Sequence, residues 1–252
     1  MIIILDDSKK DYSNYIKKKF NKLKLKYLVE DFNIGLSKGR NILLENVTTK
    51  YFLLCDDDFE FDDRTNLKLA LDMYNKNKVD ILGGIVYNRF ALDSLYSILW
   101  TLKDIKRLRK VLKKEEFGSI YNGKYYITNN KVELLVNRNI EDYCEKKVYK
   151  TDICSNFFVG NTDKIKSIGG WTPELLKVGE HEFFFLKAKK NNLKVGYTNM
   201  FGVRHFPKKT FNYLKFRFKA EEYFRTACKE ADLESFVIKD INTNNIVYSY
   251  YK

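Results

Sequence analysis

Two prolines and twelve glycines in 252 residues exclude a collagen-like, mucin-like or linker-rich chain. Histidine is scarce, with His181 and His205 alone. The four cysteines, Cys55, Cys144, Cys154 and Cys228, form no C-x-x-C pair, so a zinc ribbon or finger cannot be assembled. Four cysteines over this length are no disulfide framework, and a reduced, cytoplasmic state is the expectation. A Cys144–Cys154 bridge has only their modest separation in its favour. Long apolar runs are missing too: Ile2–Leu5 is too short for a signal-peptide core, and no later stretch approaches the roughly eighteen residues of a membrane span. Phosphate-binding glycine loops are absent: there is no G-x-x-x-x-G-K-[ST], and no G-x-G-x-x-G follows Ile2–Leu5. His181-Glu182 opens an H-E-x-x-H pattern, but Phe185 closes off that zinc chemistry.

What is present is a core. Hydrophobic residues make up 44% and aromatics 15%, too much for disorder despite 31% charged residues. The excess of 46 Lys+Arg over 33 Asp+Glu gives +13, which suits an acidic substrate, a nucleic acid or an anionic membrane. Most lysines are scattered as on solvated helix faces. The stretch 206–219 interleaves aromatic and basic residues, as single-strand binders do, although Phe211, Leu214, Phe218 and Tyr223 also suit a docked amphipathic helix.

Along the chain, Ile2–Leu5 and Tyr27–Val29 read as short strands, and Tyr12, Tyr15, Ile16, Phe20 and Leu23 as a helix between them. Ser37 caps a helix carrying Ile42, Leu43 and Val47. Tyr51–Cys55 is apolar without alternation, as in a strand buried on both faces. A helix over Leu67–Tyr74 and a strand over Val79–Val86, interrupted at Gly83-Gly84, continue the alternation. It predicts an α/β domain with a mainly parallel sheet flanked by helices. Residues 90–150 are obscure apart from a helical stretch near Leu95–Leu112. Ordered pattern returns at Ile153–Val159 and runs to Val203. The expected division is a domain over 1–206 and a basic, aromatic, helical segment over 207–252.

Ligands of open α/β sheets bind beyond the carboxyl ends of strands, and Tyr51–Cys55 ends in Asp56-Asp57-Asp58. In an extended segment Asp56 and Asp58 project to one side and Asp57 to the other. Three adjacent anions repel, and an all-oxygen cluster favours Mg²⁺ or Mn²⁺ as the remedy. The plainer account is a polar turn capping the next helix; the buried strand before it tips the balance toward a metal-diphosphate site. Glu180 and Glu182 border the aromatic run 183–185, where desolvation suits a carboxylate to general-base work. Equally, Glu180 suits a helix N-terminus. His205 is either a hydrogen-bonded core residue or a metal ligand.

Several segments together resemble a family-2-type glycosyltransferase of the GT-A fold, and more narrowly the β-1,4-N-acetylgalactosaminyltransferases of the ganglioside-synthase type. They are Ile-Ile-Leu-Asp-Asp-Ser (3–8), Asn-Ile-Gly-Leu-Ser-Lys-Gly-Arg-Asn (33–41), Thr-Thr-Lys-Tyr-Phe-Leu-Leu-Cys-Asp-Asp-Asp-Phe (48–59) and Asp-Ile-Leu-Gly-Gly (80–84), followed by Asn-Phe-Phe-Val-Gly-Asn-Thr-Asp (156–163), Glu-His-Glu-Phe-Phe (180–184) and Val-Arg-His (203–205). The likeness is collinear over 2–206, weak over 90–150 and absent in the tail.

It implies an inverting transferase using a nucleotide-diphosphate sugar, with a UDP-linked donor such as UDP-HexNAc and with Mn²⁺ or Mg²⁺. By position, Asp6 contacts the uracil or ribose side of the donor with Arg40 nearby, and Asp56, with Asp57, lies on the ribose side. Asp58 binds the metal as the last member of a D-x-D motif that also includes Asp56, and His205 completes the coordination. Glu182 is the implied base, with Glu180 and His181 as the other candidates. The family normally starts one strand and helix earlier, which implies a truncated sequence, weakened donor binding or a partner chain that completes the sheet. The acceptor is implied to be a glycan or other hydroxyl compound, its site built from 90–150, with Trp100, Tyr121, Tyr125 and Tyr126 as stacking candidates. Two other functions fit the residues less well: a catalytically inert carbohydrate-binding protein on this fold, and a nucleic-acid or peripheral membrane binder acting through the basic tail.

Overall fold

The computed structural model describes residues 1–89, 116–173, 179–206 and 220–252. In chain order the elements are β1 (Ile2–Asp6), α1 (Ser13–Lys19), β2 (Leu25–Val29), α2 (Leu36–Glu45), β3 (Tyr51–Leu54), β4 (Phe59–Glu60), α3 (Leu67–Asn77) and β5 (Ile81–Arg89). After them come β6 (Glu116–Ser119), β7 (Asn122–Thr128), β8 (Lys131–Asn137), β9 (Tyr149–Thr151), β10 (Phe158–Asn161), α4 (Thr162–Ser167), α5 (Glu180–Lys190) and β11 (Val195–His205). Last are α6 (Ala220–Glu230), β12 (Ser235–Asp240) and β13 (Ile246–Tyr251). The alternation expected over the first ninety residues is present. Ser37, however, is not the cap of α2: Gly35 holds that position and Ser37 is buried inside the first turn. Gly83-Gly84 does not interrupt β5 either. A Cβ at Gly83 would lie 2.5 Å from Cys154 Cβ, and one at Gly84 would lie 2.8 Å from Phe201, so the glycines let neighbouring layers close onto an unbroken strand.

The sheet is mixed rather than mainly parallel. Its path is β3-β10-β5-β11-β4, with β6 added to β5 and β9 to β11. Only β5–β11 is parallel; β10 inserts antiparallel between β3 and β5. Sequence alternation gives the order of elements, not their neighbours, and a later strand took the place between two earlier ones. β5 and β11 pair at Ile81–Gly83 with Val195–Tyr197 and again at Ile85–Asn88 with Gly202–His205, with 198–201 out of register between them. β1 and β2 form a separate parallel pair, and among the described residues β2 is the only strand beside β1.

The expected boundary at 206 is not a boundary in the packing. α6 is helical, but the residues after it are strands: β12 pairs parallel with β8, and the sheet runs β13-β12-β8-β7. Phe224 of α6 sits 5.2 Å from Phe236 of β12, whose ring is 5.5 Å from Phe183 of α5. One apolar cluster therefore joins the C-terminal strands to the helix carrying the two glutamates. The expected helix near Leu95–Leu112 and the aromatic-basic stretch over 207–219 lie outside the described residues.

α5 anchors the middle of the molecule. It buries Phe183, Phe184, Phe185, Leu186 and Ala188, and Phe184 stacks at 4.4 Å on Trp171. All four cysteines are free, so Cys144 and Cys154 are not bridged. No helix among the described residues is long and apolar enough to cross a membrane.

Candidate active site

β4 is only two residues long, but its register matters: Phe59 faces His205 and Glu60 faces Arg204. The Phe206 amide donates to the Asp58 carbonyl at 2.9 Å, which fastens the aspartate turn to the end of β11. Two segments 147 residues apart thereby meet, and His205 Nε2 lies 3.0 Å from Asp58 Oδ2. The Phe59 ring meets the imidazole edge-on at 5.3 Å and fixes its plane. At the other ring nitrogen, Nδ1 is 2.6 Å from Asn88 Oδ1 on β5.

With Asn88 Oδ1 as acceptor, Nδ1 carries a proton, and Nε2 faces the carboxylate either as a lone pair or, on a doubly protonated ring, as a donor. Two acceptors at this separation repel unless a cation joins them, either a proton on the ring or a metal ion. The 3.0 Å spacing is also about the distance between adjacent ligands of an octahedral ion with bonds of ~2.1 Å. One carboxylate and one imidazole fit a divalent ion whose remaining positions come from elsewhere. Among the described residues no group of three or more His, Cys, Asp or Glu side chains could hold one.

Asp56, expected beside Asp58 on the metal, faces a different partner. Its Oδ1 accepts from Arg40 Nη2 at 3.3 Å, while Arg40 Nη1 donates to Glu180 Oε1 at 3.2 Å. Arg40 is 6% exposed and stands 5.8 Å from the Trp171 ring centroid. The guanidinium thus joins α2, the aspartate turn and the start of α5, and it is engaged by carboxylates rather than open to a ligand. Burial raises the Asp56 pKa, with Arg40 opposing and Asp58 adding to the rise. Asp57 is exposed, in a turn between β3 and β4 rather than in an extended segment.

α5 starts after Gly179, whose φ of +84° lies in the left-handed region that glycine tolerates. Glu180 and Glu182 both fall in its first turn, where the helix dipole favours anions. Glu182 Oε1 accepts from the Tyr121 hydroxyl at 2.9 Å, and Tyr125 donates to the Glu182 carbonyl at 2.7 Å. Burial raises the Glu182 pKa, helped by the negative charge of Glu180 and opposed by the Tyr121 hydrogen bond. His181 is depressed to about 3, first by burial and then by the positive charge of Arg40, so it is a neutral imidazole with little appetite for a proton. Of the three candidates for the base, Glu180 is engaged by Arg40 and Glu182 by Tyr121.

Asp6 ends β1 and is held by partners in its own β1–β2 unit. It accepts from the Tyr27 hydroxyl and, at 2.9 Å, from the Ser8 amide. Its burial raises the pKa, but these donors outweigh it and the net shift is downward. Of the stacking candidates, Tyr121 and Tyr125 are bonded to Glu182, Tyr126 is exposed on β7, and Trp100 lies outside the described residues. Asn88 and the hydrogen-bonding role of Tyr121 escaped the sequence, since nothing in Tyr-Asn-Arg or Ile-Tyr-Asn marks either as a site residue.

The Glycosyl transferase family 2 model matches residues 1–131, just over half of the chain. Among curated relatives, mouse β-1,4 N-acetylgalactosaminyltransferase 1 is 28% identical over 187 residues, which is 73% of this chain and 30% of that protein. Mouse β-1,4 N-acetylgalactosaminyltransferase 2 is 35% identical over 96 residues, covering 38% of this chain and 18% of that protein. The matches thus span less than a third of the relatives' length. Among solved structures, GalNAc-T7 with UDP, GalNAc and Mn²⁺ superposes with a TM-score of 0.55 at 12% identity, covering 91% of this chain and 44% of that one. Staphylococcus aureus TarS 1–349 in complex with UDP-GlcNAc gives 0.50 at 16% identity, covering 84% and 51%. These structures share the GT-A arrangement of a central sheet flanked by helices. By its family match, the chain belongs to glycosyl transferase family 2.

Proposed function

We propose that this chain transfers a sugar from a nucleotide-diphosphate donor to a hydroxyl acceptor, with inversion at the anomeric carbon. The observation that carries the reading is the Asp58–His205 pair, whose Oδ2 and Nε2 are 3.0 Å apart, a spacing that a divalent ion can bridge. When bound there, Mn²⁺ or Mg²⁺ would supply positive charge against the diphosphate leaving group. The two relatives named for β-1,4 N-acetylgalactosaminyl transfer support a UDP-linked N-acetylhexosamine as donor and a glycan as acceptor. Asp6 and Asp56 serve the nucleoside side, and Arg40 orients Asp56 rather than touching the donor.

Glu182 is the base. Its carboxylate takes the acceptor hydroxyl proton as that oxygen attacks the anomeric carbon from the face opposite the diphosphate. One C–O bond forms, the bond to the phosphate oxygen breaks, and its electron pair leaves with the nucleotide. The Tyr121 hydrogen bond holds the carboxylate still during this step.

Calorimetric titration with UDP tests the assignment. Binding is expected only with Mn²⁺ or Mg²⁺, and Asp58→Asn is expected to weaken it at least about tenfold while the protein stays folded. Metal-dependent UDP binding of undiminished strength in that variant would overturn the role of Asp58.

A further inference from the structure

Residues 9–26 hold eight lysines and a single acid, Asp11. The helix within this segment, α1, buries none of its residues. Apolar side chains sit on and beside it: Tyr12 precedes α1, Tyr15 lies within it, and Phe20 and Leu23 follow it, and they are 43%, 56%, 37% and 51% exposed. Lysines lie against these rings, with Lys10 Nζ 5.4 Å from the Tyr12 centroid and Lys19 Nζ 5.2 Å from that of Tyr15. Exposed apolar side chains set among ammonium groups match a layer that is anionic outside and apolar just beneath.

We infer that the outer face of the β1–α1–β2 unit docks on an anionic phospholipid surface. The lysines supply the attraction to headgroup phosphates, and the aromatic and leucine side chains enter the boundary with the acyl chains. Charge complementarity selects this occupant over a neutral protein surface. Leu23, with Ile2 and Val29 on the adjoining strands, is aliphatic, which hydrocarbon buries and bases do not stack on, while Tyr12, Tyr15 and Phe20 make a single-stranded oligonucleotide the competitor to test. The interaction is peripheral, and it does not depend on the transferase reading.

Vesicle sedimentation with the 252-residue chain tests it. Binding is expected to phosphatidylcholine vesicles carrying about 30 mol% phosphatidylserine, to be weak without that lipid, and to fall as salt shortens the Debye length below ~10 Å. Combining Lys17→Glu, Lys18→Glu and Lys22→Glu is expected to cut the affinity on the order of a hundredfold. Phe20→Ser with Leu23→Ser should weaken it at constant charge and leave the melting temperature unchanged, since both side chains are exposed. Absence of phosphatidylserine-dependent binding, or indifference to charge reversal, overturns the inference. So does a single-stranded oligonucleotide that displaces the vesicles through the same lysines, or a dimer that the same variants dissociate. UDP titration of these variants should match the parent chain, so failure at the vesicle and failure at the nucleotide are read separately.

Discussion

Replacing Arg40 with methionine keeps the bulk of the side chain in α2 and removes the charge shared by Asp56 and Glu180. Removing one member of a buried ion pair costs about 3–5 kcal/mol, because the remaining charge is stranded. Arg40 and Glu180 are nearly sealed, with side chains 6% and 9% exposed, but Asp56 keeps 38% of its own in water, which screens part of the loss. The expected destabilisation is therefore about 2–4 kcal/mol. For a chain of this size, that is a drop of roughly 5–15 °C in melting temperature. The pH dependence gives the sign. Burial already raises the folded-state pKa of Asp56, and losing Arg40 raises it further. Protonation then relieves the stranded charge, so the stability deficit should be largest near neutral pH and shrink as pH falls through the raised pKa. Differential scanning fluorimetry of both proteins across that range measures it. A deficit below about 1 kcal/mol at neutral pH, or one that grows on acidification, would refute the idea that Arg40 clamps two carboxylates.

Other outcomes follow from the same geometry. Glu182 has a folded-state pKa above its unfolded value, so its stabilising contribution is complete at low pH and is lost as pH rises through the folded pKa. Glu182→Gln should accordingly melt no lower than the parent near pH 8 while its transfer rate falls about 10²–10⁴-fold, measured by UDP release. Tyr121→Phe removes a donor that favours the ionised Glu182, so the acidic limb of the rate profile should move to higher pH with UDP affinity unchanged. Trp171→Ala empties a buried site stacked on Phe184 and should cost about 3–5 kcal/mol in denaturant unfolding.

Local physics made the first half of the chain legible. Ile2–Leu5, Tyr51–Cys55 and Val79–Val86 are runs bounded by acids or turns, and strands form at Ile2–Asp6, Tyr51–Leu54 and Ile81–Arg89, although Tyr51–Leu54 is a half-buried edge strand rather than one buried on both faces. The meeting of Asp58 and His205 has a local basis, because Asp58 stands just before β4, His205 ends β11, and those two strands pair. What escaped depends on pairing across long separations. β8 and β12 lie side by side although about a hundred residues separate them, and no local pattern announces that register. The hairpin itself left a trace. Tyr125 and Ile127, then Val132, Leu134 and Val136, alternate around Asn129-Asn130, and Asn129 has a φ of +53°, the geometry asparagine supplies in tight hairpins. The partners of Arg40 left no trace, since an arginine on a helix face carries no mark of the carboxylates it will meet.

The joining of β12 to β8 has a consequence for the order of assembly. Phe236 is translated some fifty residues after Phe183, yet the two rings touch at 5.5 Å in one apolar cluster. A nascent chain that has emerged only as far as β11 can make the aspartate turn and its histidine, but it has nothing to seat that side of the glutamate helix. Packing around the glutamate helix is therefore completed only after the aspartate turn and its histidine have met, and contacts of such sequence separation form slowly.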